Sequence, residues 1–160
     1  MEYYVSNAGI KSNLINGVCK YNECAYQLDM SENKFPVAEI KNKIKNILSE
    51  PEIRFCGLID CNGELIVGDL KSGIIPFEND SRRKQMFQEL AHRVANRTGF
   101  DANLGRVKYS SSRREKVVMM SFPMGKYIVL VIAEPHVNID RLGWKIIDKL
   151  GNQWSEFQGF

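Results

Sequence analysis

Histidine is scarce in this sequence: among 160 residues there are only His92 and His136. That removes the commonest acid–base group of neutral pH, because no other side chain has an unperturbed pKa in that range. Neither histidine has a recognisable Ser or Cys partner with an orienting carboxylate, so no catalytic triad is indicated. Phosphate loops of the G-x-x-x-x-G-K-[ST] type and dinucleotide fingerprints are missing. Ser31-x-x-Lys34 lacks the companion motifs of an acylation site. No apolar run approaches the ~20 residues of a membrane-spanning helix, and the N-terminus has no secretory pattern. A large charge of one sign is missing too: 22 Lys and Arg against 19 Asp and Glu leave +3. With no export signal, the four cysteines are expected to be reduced thiols in a cytoplasmic protein. No catalytic residue, metal or cofactor is expected, and the chain reads as a non-enzyme.

What is present suits one globular domain, with 44% apolar and 26% charged residues. Residues 1–34 are rich in Asn and Ser, hold four Tyr and show no sustained period. They read as an N-terminal extension to a single α+β domain over residues 35–160. Met30 precedes "SENKFPVAEIKNKIKNIL", itself a plausible protein start, so residues 1–29 read either as an added arm or as a packed extension.

Periodicity supplies the elements. Pro36 suits a first helical turn, and Val37, Ile40, Ile44, Ile47 and Leu48 recur at spacings of three and four until Pro51. Two short apolar runs, 53–59 and 65–67, flank Asn62-Gly63, the pair favoured in a type I′ hairpin turn. A second helix, capped by Asp80 or Ser81, runs to about Thr98 with Met86, Phe87, Leu90 and Val94 on its apolar face. Three strands are expected at 104–110, 116–122 and 127–133, with a tight turn at 123–126. "YIVLVIA", apolar on both faces, should be the most central strand. A last helix spans 139 to about 157, with Leu142, Ile146, Ile147, Leu150 and Trp154 on one side.

The segment "DCNGE", Asp60 to Glu64, invites a metal reading that geometry opposes. A strand advances ~3.3 Å per residue, which would put the Cα atoms of Cys56 and Cys61 ~16 Å apart. Two zinc-bound sulfurs lie within ~4.6 Å of each other. Cys19, Cys24 and Cys61 are left free to meet in space, but nothing requires it. The Asp60-x-Asn62-Gly63 spacing is not that of a calcium loop. Asp60 and Glu64 read as solvated residues beside a turn.

The order α-β-β-α-β-β-β-α is satisfied by a five-stranded, mostly antiparallel sheet flanked by helices. At this point "LIDCNGELI", Leu58 to Ile66, and the final "KYIVLVIAEPHVNIDRLGWKIIDKL" resemble the roadblock family of dynein light chains, within the wider profilin-like group. The shared pattern is hydrophobic-D-x-x-G-x-hydrophobic, and the likeness covers about 115 residues from Pro36 to Leu150. "SRREKVVMMSFPMG" and "AEPHVNID" resemble an uncharacterised archaeal family as well. Departures from a minimal roadblock domain are the 1–34 arm, the long loop 68–80 and the basic stretch around Arg113.

The resemblance implies a homodimerising interaction or scaffold domain, a platform for a small GTPase or a larger complex. The contact is expected through exposed sheet or helix surfaces, because a two-faced apolar sheet with helices enough for only partial cover leaves an edge or face to bury. A second reading rests on charge. Between Arg82 and Lys116 there are ten Lys or Arg against three acids. Arg82, Arg83, Arg113 and Arg114 are therefore candidates for holding nucleic acid or another anion. Tyr109 is the one aromatic in the strand-borne half of this stretch, so no base-stacking platform is indicated. A third reading is a small-molecule sensor with a pocket between sheet and helix.

Overall fold

A computed structural model describes residues 37–151. The 1–34 arm, Ser31, Lys34, Cys19, Cys24 and Trp154 lie outside the described residues.

Five strands form one sheet in the order β2-β1-β5-β4-β3. They are β1 (Ile53–Asp60), β2 (Leu65–Leu70), β3 (Ser110–Arg113), β4 (Val118–Met124) and β5 (Tyr127–Ala133). All four pairings are antiparallel. The expected order of elements holds, and "YIVLVIA" is the central strand.

The two sheet faces are covered unequally. On one lie α1 (Val37–Leu48) and α4 (Ile139–Leu150). Their Ile40, Ile44, Ile47, Leu142, Ile146 and Leu150 pack on Leu58, Met120, Phe122, Val129 and Val131. On the other lies α2 (Asp80–Arg97), which buries Phe87, Leu90, Ala91 and Val94 against Phe55, Ile59, Met119, Ile128 and Leu130. The first core thus draws on two helices and the second on one. Met86, expected on the apolar face of α2, is only half-buried at the margin of the second core.

The cap of α2 is Asn79, one residue earlier than expected, and its side chain accepts from the Arg82 N–H. After α2 come a 3₁₀ turn (Thr98–Phe100) and the one-turn helix α3 (Asp101–Leu104), in place of a strand beginning at 104. Gly105, at φ 79, ends α3, and pairing starts only at Ser110. Pro123 and Met124 belong to β4 instead of the turn, which narrows to Gly125 and Lys126. Beyond Ser121, β4 has a neighbour on one side only, an edge setting that tolerates Pro123. Helix α4 stops at Leu150, short of 157, because Gly151 takes φ 72.

The hairpin at Asp60 is wider than a two-residue type I′ turn. Asp60 N–H donates to the Glu64 carbonyl and Gly63 N–H to the Asp60 carbonyl, both at 3.0 Å. The left-handed conformation falls on Gly63, at φ 80. That is the pattern of a type I turn followed by a bulged glycine. Far from being a bystander, the Asp60 carboxylate accepts from the N–H groups of Asn62 and Glu64, each at 2.9 Å. Asp60→Ala is expected to lower stability by about 1–2 kcal/mol. Urea unfolding should show a lower midpoint at unchanged slope, with Asp60→Asn losing less because it keeps an acceptor oxygen.

Candidate functional site

The single-helix face leaves a groove at one end of the sheet. It runs between the first turns of α2, the starts of β1 and β4, and the ends of β2 and β5, and its volume is about 620 Å³. The second core has four half-buried apolar side chains at its margin, Leu70, Met86, Val117 and Ile132, and all four line this groove. Five cations surround that floor: Arg54 from β1, Arg82 and Arg83 from α2, and Arg114 and Lys116 from the β3–β4 turn. Glu78, Glu89 and Glu115 lie among them.

One wall is the long loop after β2. Arg54, the one charged residue inside the apolar run of β1, stacks its guanidinium 4.6 Å from the Phe77 ring centre. It also donates to the Ile75 carbonyl at 3.4 Å and to Glu134 at 2.9 Å. Lys116 approaches the same ring at 5.8 Å, so Phe77 is flanked by cations from two elements. A smaller hollow of about 380 Å³ lies beside the hairpin turn and shares Phe55, Leu70, Arg83 and Phe87 with the groove.

Of the four arginines singled out by sequence, the structure brings Arg82, Arg83 and Arg114 into this groove. Arg113 stands apart. Strand alternation turns it to the α1–α4 face, where it donates to the carbonyls of Pro135 and Val137. There it ties the β3 edge to the segment leading into α4. Sequence reasoning missed Arg54 and Phe77. The signal for Arg54 was a lone cation in a strand otherwise fit for full burial; for Phe77 no local signal exists.

Other titratable groups have structural surroundings. Burial pushes the Cys56 thiol far above its usual range, which makes it an inert core residue. The Tyr109 hydroxyl donates to Asp140, which raises its pKa. His92 and His136 are exposed. Among the described residues, no three His, Cys, Asp or Glu side chains gather in a metal-binding group. No described helix is long and apolar enough to cross a membrane.

Solved structures share the architecture. The Roadblock/LC7 domain from Streptomyces avermitilis aligns with a TM-score of 0.55 at 10% identity, over 70% of this chain and 92% of that one. The gliding protein mglB from Thermus thermophilus gives 0.57 at 14% identity, over 81% and 99%. Myxococcus xanthus MglB gives 0.55 at 18% identity, over 78% and 99%. At these identities the likeness is one of fold, and the fold is that of roadblock/LC7 domains. No curated protein sequence matches the chain. Residues 32–160 match the family described as "Family of unknown function (DUF6659)", and the chain belongs to that family.

Proposed function

We propose that this protein is a non-enzymatic interaction domain that works as a homodimer, a platform for a small GTPase or a larger complex. The observation that carries the reading is the unfinished sheet. Strands β2 and β3 each have a partner on one side only. On β2, Leu65 and Ile66 keep 45% and 46% of their surface exposed. An edge with apolar side chains and unpaired backbone groups is a template for another chain. The resemblance of "LIDCNGELI" to the roadblock pattern and the fold shared with the two MglB structures support the same reading.

Edge charges test it. Ile66→Lys on β2 and Ser111→Lys on β3 each place a cation beside an open edge at an exposed position. One of the two is expected to shift the protein to monomer in light scattering at micromolar concentration, with cooperative unfolding kept and only the stability contributed by association lost. Two variants as dimeric as the parent would exclude the sheet edges as the contact.

A further inference from the structure

We infer that the groove between α2 and the sheet is a binding site for a small anionic molecule with an apolar body, of the alkyl phosphate or alkyl carboxylate kind. This goes beyond the interaction reading and does not depend on it. The floor asks for an apolar occupant. Leu70, Met86, Val117 and Ile132 pack against the second core on one side and open into the groove on the other. Covering such surface is favourable by roughly 25 cal/mol per Å².

The rim asks for an anion. Arg54 is satisfied by Glu134 at 2.9 Å, Arg83 by Asp80, and Arg82 loosely by Glu78 at 3.9 Å. Glu89 is taken by Arg93 at 2.6 Å. Arg114 has no carboxylate within ion-pair distance among the described residues, and Lys116 faces the Phe77 ring. Glu115, their sequence neighbour, lies in the same rim and offsets one of these charges in part. Two cations on one turn thus face an apolar hollow, the arrangement that grips a carboxylate or phosphate at the end of a chain.

Size and symmetry select among occupants. A hollow of about 620 Å³ falls within the range of small-molecule sites, roughly 300–1,000 Å³. Single-stranded nucleic acid needs an open basic track with free aromatic faces. Here Arg54 already stacks on the Phe77 ring. A second copy docking by two-fold symmetry would bring the same cations against themselves.

Calorimetry on the full chain tests the site, with decyl phosphate, decanoate, inorganic phosphate and decyltrimethylammonium as probes, all below micelle-forming concentrations. Decyl phosphate and decanoate are expected to bind one per chain. Inorganic phosphate should bind about a hundredfold more weakly, for want of the apolar body. The cationic amphiphile should give no heat. Arg114→Glu combined with Lys116→Glu alters two exposed residues and should weaken decyl phosphate by about tenfold or more. A second variant, Met86→Gln, should weaken it through the floor and leave inorganic phosphate unaffected. The inference is overturned by equal binding of both amphiphile signs, by unchanged affinity in the charge variant, or by displacement with a short oligonucleotide. Light scattering on the same samples separates the two proposals: a dimer that binds no amphiphile removes only the groove.

Discussion

Gly63→Ala is expected to destabilise the domain by about 4 kcal/mol, a large part of the roughly 5–15 kcal/mol that holds such a domain together. Two costs meet at this residue. Its φ of 80 lies in the left-handed region, where a Cβ is penalised. A Cβ built there would also stand 2.5 Å from the Cα and the backbone nitrogen of Gln88 in α2. Backbone cannot rotate away as a side chain can, so the hairpin or the helix must shift. Gly73→Ala is the control. Gly73 also sits at φ 80 but has nothing within 4 Å of an added Cβ. It should lose only about 1 kcal/mol. Urea unfolding of the two variants separates contact from conformation. Equal losses would mean that the hairpin does not press on α2.

Glu50→Gln is expected to cost about 2 kcal/mol at neutral pH. Glu50 follows α1, and its side chain is only 10% exposed. Its two carboxylate oxygens take Lys145 at 2.5 Å and Lys149 at 2.9 Å, both from α4. Its backbone carbonyl accepts from Lys71 at 2.5 Å, at the end of β2. One residue therefore ties α1, α4 and β2 together. Lys145 is half exposed, so solvent screens its share. The two lysines, chiefly through their hydrogen bonds, hold the Glu50 pKa below the ordinary glutamate value of 4.5. The stabilisation is then fully present above the unfolded-state pKa and is lost as pH falls through the lower folded-state value. Parent and variant should differ by a constant amount near neutrality and converge in acid below pH 4.5. A gap that stays open at low pH would show that packing, and not charge, is what Glu50 supplies.

Much of the fold was legible because burial writes periods into sequence. The stripes of α1 and α4 and the two-faced apolar run of β5 each follow from one geometric rule. Elements held by distant contacts were less legible. Strand β3 is "SSSR", a poor strand by propensity, and it is extended because Val118 to Ser121 pair with it. Gly99 reads as the end of a helix, yet helical turns continue past it to Leu104. The Asn-Gly pair announced a reversal, but the register of Asp60 with Glu64 was set by a carboxylate that sequence treats as solvent-facing.

The groove was legible only as a list of charges. Arg82, Arg83 and Arg114 lie up to 32 positions apart in sequence, and what gathers them is the crossing of α2 over the sheet end near the β3–β4 turn. Arg113 and Arg114 are neighbours with the same chemistry. Strand alternation sends Arg113 to backbone carbonyls on the opposite face and leaves Arg114 in the groove rim. A charge count over a segment cannot see that division. The wall built from Phe77 depends on Arg54, more than 20 residues away, which no local pattern connects to it.

Light scattering after size exclusion, run over a dilution series of the full chain, is the most direct test of the interaction reading. A mass of two chains that persists at micromolar concentration is the expected result. A single-chain mass at every concentration would contradict it, since the open sheet edges would then be complete without a partner copy.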